Sequence, residues 1–186
     1  MEAKMKWNQK YQERLKEFNH LEPNKRLIMQ SSYLKGGTAL DLACGLGGNS
    51  QFLAGRDYHV HAVDISDVAL SFLKEDAAVK QLSIQTHLCD LSEWHTLQSM
   101  PLSFDLIIMT YYLDRMICSL VQSLVKENGY FFMETYFLSP LDENSRVSDR
   151  YKLQPQELLS VFKEWKILFF EENEMEGRQT IFCQKV

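Results

Sequence analysis

The sequence predicts an α/β protein with a doubly wound, mostly parallel seven-stranded sheet that ends in an antiparallel hairpin. Three observations predict this fold. Apolar strand-like segments alternate with helical segments along most of the 186 residues, as in proteins built from βαβ units. A turn with three glycines follows the first of these strands. The last two strand-like segments flank a short polar link that contains a glycine, which favours a hairpin.

The predicted elements form a single domain over residues 1–186, a length that can bury a substantial core. Two helices, 7–18 and 24–34, come first, and Pro23 marks the start of the second. The stretch 103–110 is continuously apolar, which is typical of a strand buried on both faces. Strands are predicted over 38–43, 59–64, 82–88, 103–110, 130–136, 165–172 and 178–185, and further helices over 49–55, 67–79, 113–126 and 156–162.

The strongest motif lies between Thr38 and Asn49. A strand-like run there breaks into three glycines within four positions, and helix-forming residues follow. Glycine adopts backbone angles that other residues resist, and it lets a ligand touch the main chain. Gly45 and Gly47 are therefore expected to leave space for a ligand, so that a valine at position 47 would fold but not bind. An ordinary glycine-rich connection is the alternative, and Asp41 argues against it.

A second acid, Asp64, closes the next predicted strand. An acid about 20 residues beyond such a turn, at the end of a strand, can accept hydrogen bonds from ribose hydroxyls. Asp64 could instead cap the following helix, but Ser66 is the better placed cap. A dinucleotide fingerprint would need a third glycine where this chain has Ser50, so a nicotinamide cofactor is disfavoured.

The run from Asp41 to Gly47 resembles the first motif of class I S-adenosylmethionine-dependent methyltransferases. That resemblance implies S-adenosylmethionine as cofactor, with Asp90 accepting from the adenine amine and Trp94 beside the ring. A loop acid and a packed tryptophan are the plain alternatives for these two residues. The cofactor-binding residues that the resemblance implies are Tyr11, Asp41, Ala43, Cys44, Gly45, Gly47, Asn49, Asp64, Ile65, Ser66, Asp90, Leu91, Thr110 and Tyr111.

The first helix carries an aromatic and apolar face formed by Trp7, Tyr11, Leu15 and Phe18. This spacing is typical of a helix packed on a core. The opening from Trp7 to Tyr11 also resembles that of many small-molecule methyltransferases, with Lys10 in place of the usual arginine. In those proteins the N-terminal region, here residues 1–35, covers the cofactor as a helical lid. The sequence leaves core helix and lid as equal alternatives.

From Trp7 onward the chain resembles the small bacterial methyltransferases related to tellurite-resistance and thiopurine-type enzymes. Gly48 stands where that branch has arginine, and the stretch 137–152, expected to border the acceptor, also departs from it. No Pro-Pro-Tyr motif follows the fourth strand. Glu134 could orient a substrate, act as a base or be solvated. Candidates for the acceptor side, with no catalytic residue assigned, are Tyr111, Tyr112, Arg115 and Glu134.

Composition and charge disfavour several other classes of protein. The net charge of −5 disfavours a nucleic-acid partner, and no apolar run is long enough for a membrane span. The four cysteines form no C-x-x-C pair, which predicts no bound metal, and the absence of a secretory signal favours the cytoplasm. A monomer or a homodimer is expected.

The predicted function is methyl transfer from S-adenosylmethionine to a small-molecule acceptor by in-line displacement. A soft acceptor, such as a thiol or a chalcogen oxyanion, needs no strong base. The histidines lie mostly within or beside predicted strands, which favours an enzyme without a dedicated base. The rival hypothesis is a binding module of the same fold that holds the cofactor or a protein partner without turnover.

Overall fold

The computed structural model describes residues 2–17, 21–93, 103–141 and 147–186. Phe18, His20, Trp94 and His95 lie outside this part, as do residues 142–146 of the stretch expected to border the acceptor. The helices are α1 (Glu2–Lys16), α2 (Lys25–Met29), α3 (Gly48–Ala54), α4 (Asp67–Val79), α5 (Arg115–Leu124) and α6 (Glu157–Val161). The strands are β1 (Gly37–Leu42), β2 (Tyr58–Asp64), β3 (Ile84–Leu88), β4 (Phe104–Thr110), β5 (Val125–Tyr136), β6 (Lys166–Asn173) and β7 (Arg178–Gln184).

The strands form a seven-stranded sheet in the order β3-β2-β1-β4-β5-β7-β6. Strand β2 pairs in parallel with β1 and β3, and β4 pairs in parallel with β5. Strand β7 runs antiparallel to both β5 and β6. The prediction of a mostly parallel α/β sheet with a C-terminal hairpin is therefore confirmed. The chain divides into two compact units, Met1–Leu102 and Ser103–Val186, and the count of one domain stays a prediction.

The first unit places α3 and α4 against its three parallel strands. Its core consists of β-branched and aliphatic side chains that are fully buried, such as Val60 and Val63 on β2 and Leu73 on α4. The side chain of Ser66 caps α4 by accepting from the Ala69 amide at 3.2 Å. Leu70, Leu73 and Ala77, which share one face of this helix, are all buried.

Two predicted element bounds in the second unit are wrong. The predicted helix 113–126 ends at Leu124, because Val125 already belongs to β5. The strand predicted to begin at residue 130 begins at Val125, and Asn128 and Gly129 lie inside it at a bulge, where the pairing with β4 shifts register. The Asn128 amide donates to the Lys185 carbonyl, and the Lys185 amide donates to the Gly129 carbonyl, each at 3.0 Å. These long-range hydrogen bonds satisfy the bulged backbone and hold it in the sheet.

The second predicted helix and the third strand are also shorter than expected. Helix α2 stops at Met29, and a 3-10 turn over Ser31–Tyr33 replaces its last predicted residues. The carboxamide oxygen of Asn24 caps α2 by accepting from the Arg26 and Leu27 amides. Strand β3 begins at Ile84, two residues later than predicted.

Within the described residues no helix is long and apolar enough to cross a membrane.

Three histidines lie together on β2 and β3. The Nδ1 atom of His61 is 3.0 Å from the Nε2 atom of His87, and the ring of His59 stands edge-on to that of His61. Burial, together with the neighbouring imidazoles, lowers the pKa of His61 to about 4. Burial likewise lowers the pKa of His87. The folded unit therefore holds His61 and His87 neutral at a pH where free histidine is protonated.

The wild-type protein should lose stability as the pH falls from about 6.5 to 4. In that window the unfolded chain binds protons that the folded His61 does not, so acid favours unfolding. The variant His61→Gln should lose on the order of 2 kcal/mol less of its unfolding free energy across this window. Denaturant titrations at pH 7 and pH 4.5 measure the difference. Equal losses in wild type and variant would show that His61 does not carry the effect.

Candidate functional site

The glycine turn forms at the carboxyl end of β1. Ala43, Gly45 and Gly47 all have positive φ angles, of 57°, 56° and 87°, and Gly47 precedes the first turn of α3. The Cys44 amide donates to the Val63 carbonyl of β2 at 3.0 Å. This hydrogen bond ties the turn to the neighbouring strand. Because glycine has no side chain, a ligand can approach the main chain of the turn closely.

The two glycines are needed for different reasons. A Cβ atom on Gly45 would lie 2.9 Å from the Tyr11 hydroxyl oxygen. A Cβ atom on Gly47 would lie 2.3 Å from the Cδ1 atom of the fully buried Leu73. The space beside Gly47 is filled by a core side chain, so we expect a valine there to destabilise the fold. The expected loss of binding stays a prediction.

Asp64 anchors the turn from the end of β2. Its Oδ2 atom accepts from the Gly45 amide at 2.8 Å, and its Oδ1 atom accepts from the Ser66 amide at 2.9 Å. Burial raises the pKa of this carboxyl group, and the backbone hydrogen bonds oppose that rise. Each carboxylate oxygen can accept more than one hydrogen bond. Since the Ser66 hydroxyl supplies the cap of α4, Asp64 is not needed in that role, and its binding of a ribose stays a prediction.

Asp41 is fully buried beneath the turn. Its Oδ2 atom accepts from the Ser50 hydroxyl at 2.6 Å, whereas its Oδ1 atom has no hydrogen-bond partner among the described residues. Burial raises the pKa of Asp41 to about 7, against the opposing effect of the Ser50 hydrogen bond. A buried carboxylate oxygen without a partner is costly. The geometry therefore fits a site that a cationic group completes.

Helix α1 covers the glycine turn. Tyr11 is 6% exposed and packs with Leu46 and Ala69, and Trp7 and Leu15 join the same cluster. The predicted apolar face of the helix is confirmed for its described members. Burial, with the nearby Asp64 carboxyl as a second cause, raises the pKa of Tyr11 above its ordinary value. The phenol is therefore neutral and able to donate a hydrogen bond.

The remaining predicted cofactor residues of the first unit lie around the same strand ends. The Cys89 amide donates to the Asp64 carbonyl at 3.0 Å, which ties the end of β3 to that of β2. Asp90 accepts from the Ser92 amide and hydroxyl, and Leu91 is buried. Ile65 is half-buried, and the Asn49 carboxamide oxygen accepts from the Asn24 amide at 2.8 Å.

In the second unit, Tyr111 and Glu134 form a hydrogen-bonded pair at the ends of β4 and β5. The Tyr111 hydroxyl donates to Glu134 Oε1 at 2.8 Å, and the Thr180 hydroxyl donates to Glu134 Oε2 at 3.0 Å. Glu134 is 2% exposed, so the solvated alternative for this residue is wrong. Thr110 lies opposite Glu134 in the strand register. Burial and the Glu134 carboxylate raise the pKa of Tyr111 to about 12.

Arg178 completes this cluster, and the sequence analysis missed it. Its guanidinium carbon lies 3.7 Å from the ring centre of Tyr136 and 5.1 Å from that of Tyr111. Tyr111, with a positive φ of 57°, is 51% exposed. The one available signal was a basic residue directly after the hairpin glycine, Gly177. The arrangement presents a cation between two aromatic rings.

Arg115 is held in an ion pair, and its candidacy for the acceptor side stays a prediction. Its guanidinium donates to Glu157 Oε1 at 2.6 Å and to Oε2 at 2.9 Å, a bidentate pair. It also donates to the Lys152 carbonyl at 3.1 Å. These contacts join α5 to α6. Tyr112, three residues before Arg115 in the sequence, is half-buried.

Across the described ranges no cluster of three or more histidine, cysteine or acidic side chains could hold a metal.

The family model for the tellurite resistance protein TehB matches residues 7–181. The chain belongs to the TehB family. Two curated TehB proteins from Haemophilus influenzae strains, each described as a probable S-adenosyl-L-methionine-dependent methyltransferase, are 23% identical over 143 residues. The matched region covers 76% of this chain and 50% of each relative. The chain thus spans about half the length of the curated TehB relatives it matches.

Solved structures show the same fold. The crystal structure of TehB from Haemophilus influenzae matches with a TM-score of 0.79 and 21% identity, over 93% of this chain and 66% of that one. A geranyl diphosphate C-methyltransferase from Streptomyces coelicolor, solved with S-adenosyl-L-homocysteine, matches with a TM-score of 0.67 and 13% identity, over 87% and 80% of the two chains. The TehB-family chain therefore has the Rossmann-like fold of class I methyltransferases.

Proposed function

We propose that the chain binds S-adenosylmethionine and transfers its methyl group to a small-molecule acceptor. Membership of the TehB family supports the class of reaction. The observation that carries the proposal is the buried Asp41, whose Oδ1 atom has no partner among the described residues and lies beneath a glycine turn tied to Asp64. This combination fits a ligand with both a cationic group and a nucleoside.

The residues of the first unit fit the parts of that cofactor. The Oδ1 atom of Asp41 would accept from the ammonium of the methionine moiety, which supplies the missing partner. Asp64 would accept from the ribose hydroxyls with its remaining lone pairs. The backbone at Gly45 would border the ligand, and Asp90 and Leu91 would hold the adenine. Ala43, Cys44, Asn49, Ile65 and Ser66 belong to the same unit, and we assign them to cofactor binding as well.

The bound cofactor supplies an electrophilic methyl group on a sulfonium. The protein contributes position and the exclusion of water, which supply most of the acceleration in such a transfer. Helix α1 suits this role because Tyr11 lies against Gly45 and Leu46 packs beside it. A neutral Tyr11 phenol can donate a hydrogen bond without adding charge.

For the acceptor we propose a soft anion, such as a thiolate or a chalcogen oxyanion. Support comes from the second unit, where the Arg178 guanidinium stacks on Tyr136 and presents a positive charge at the strand ends. Arginine recognises oxyanions through its planar set of donors. The half-exposed Tyr111 would form an aromatic wall, since Glu134 fixes its hydroxyl. Such an acceptor needs no strong base.

Two measurements, made one after the other, test the proposed function. Calorimetry with S-adenosylhomocysteine tests the cofactor, and a screen with methyl-labelled S-adenosylmethionine then tests selenite, tellurite and small thiols against bulk DNA, RNA and protein. Product from a small acceptor supports the proposal. Binding without transfer to any acceptor supports the rival, a binding module without turnover. Labelling of only the macromolecules would overturn the choice of acceptor.

Replacing Arg178 with alanine should lower kcat/KM for an anionic acceptor by roughly tenfold or more, because a charge-assisted contact is lost. Arg178→Lys should recover only part of the loss, since lysine lacks the planar fork. Arg56→Ala is the matched control, because Arg56 also stacks on an aromatic ring, that of Phe52 at 3.8 Å, and lies outside the stretch expected to border the acceptor. An equal loss in the Arg56 and Arg178 variants would remove Arg178 from acceptor binding.

A further inference from the structure

Asn8 fastens helix α1 to the start of α4. Its Nδ2 atom donates to Asp67 Oδ1 at 2.6 Å, and its Oδ1 atom accepts from the Ser66 hydroxyl at 2.6 Å. The Lys4 ammonium, one turn earlier on α1, pairs with Asp67 Oδ2 at 2.9 Å. One carboxamide thus uses both of its functions, and its bond to Asp67 is charge-assisted.

Ser66 connects this contact to the proposed ribose acid. Its amide donates to Asp64 Oδ1 at 2.9 Å, and its hydroxyl, besides donating to Asn8, accepts from the Ala69 amide. Ser66 is fully buried. A displacement of Asn8 therefore leaves the Ser66 hydroxyl without an acceptor, right beside the backbone that holds Asp64.

Asn8 is also one helical turn from Tyr11, so the two side chains point from the same side of α1. Tyr11 is the residue that lies against Gly45, and its ring stacks with that of Trp7 at 5.8 Å. A helix fastened at Asn8 thus holds Tyr11 over the turn. Without Asn8, helix α1 would lose its hydrogen bonds to Ser66 and Asp67 but would keep its apolar contacts.

We propose that Asn8 is a positioning residue that couples the docking of α1 to the Asp64 turn and thereby sets how fast the adenosyl ligand leaves. The inference rests on the proposed cofactor function. Because a coupling between two sites is reciprocal, a docked helix slows ligand release and a bound ligand protects the helix from opening. Asn8 acts through Ser66 and Asp64 and need not touch the ligand.

The test uses the full chain and S-adenosylhomocysteine as the probe. Stopped-flow displacement measures the release rate, and hydrogen exchange measures the protection of residues 2–16 with and without the probe. Asn8→Ala should speed release roughly tenfold and lower the protection of α1, since a charge-assisted hydrogen bond is removed. Gln9→Ala is the control, because the Gln9 amide donates only within α1, to Glu13 at 3.0 Å, and it should behave as wild type.

An exchange of the partners separates coupling from a general structural loss. Asn8→Asp alone places two carboxylates together and should release the probe as fast as Asn8→Ala. In the double variant N8D/D67N the new carboxamide at position 67 can donate to the new carboxylate at position 8. The release rate of this variant should therefore return toward that of wild type. Wild-type release rates in both single variants, or no recovery in the double variant, would overturn the inference. If the wild-type protein does not bind the probe at all, the proposed function fails instead.

Discussion

The variant Asp64→Ala should lose about 2–4 kcal/mol of binding free energy for S-adenosylhomocysteine, a weakening of thirtyfold or more. The reason is the loss of two hydrogen bonds from ribose hydroxyls to a carboxylate. The Gly45 and Ser66 amides also lose their acceptor, so the turn itself becomes less ordered. Titration calorimetry at constant salt measures the change.

Two further variants make this test specific. Asp76→Ala removes a carboxylate of the same unit that contacts Lys80 and Gln51, and it should bind as wild type. Asp64→Asn keeps an acceptor oxygen for one of the two amides, so it should be better folded than the alanine variant and still bind weakly. Unchanged affinity in a folded Asp64→Ala protein would remove this residue from the site.

The sequence was sufficient for the order of elements and for the turn that defines the first unit. Buried parallel strands read as apolar runs, and Gly45 and Gly47 favour a turn between strand and helix because glycine adopts positive φ angles readily. The role of Ser66 as the cap of α4 also followed from local chemistry, because a cap contacts amides only two or three residues away.

What escaped sequence analysis depends on contacts between distant parts of the chain. The bulge at Asn128 is held by Lys185, and the position of Arg178 beside Tyr136 follows from the pairing of β5 with β7. The Asn8 contact with Ser66 joins residues far apart in sequence. None of these partners can be identified from spacing or propensity, because the fold first brings them together.

Gly47 shows the same limit, since its neighbour Leu73 belongs to another helix. The variant Gly47→Ala should lose about 2–4 kcal/mol of stability. An L-residue at a φ of 87° is strained by about 1–2 kcal/mol, and the new methyl group overpacks a fully buried site at a similar cost. Gly55→Ala is the control, because a Cβ atom there meets its nearest neighbour at an ordinary 3.4 Å.

A double-mutant cycle with Leu73 separates backbone strain from overpacking. Leu73→Ala alone should be destabilising, since it leaves a cavity between α4 and the glycine turn. Combined with Gly47→Ala it should cost at least 1 kcal/mol less than the two single changes together, because the shortened side chain makes room for the new methyl group. Denaturant unfolding of the four proteins gives the coupling. Strict additivity would mean that Leu73 is not the obstacle and that the left-handed backbone alone requires glycine at this position.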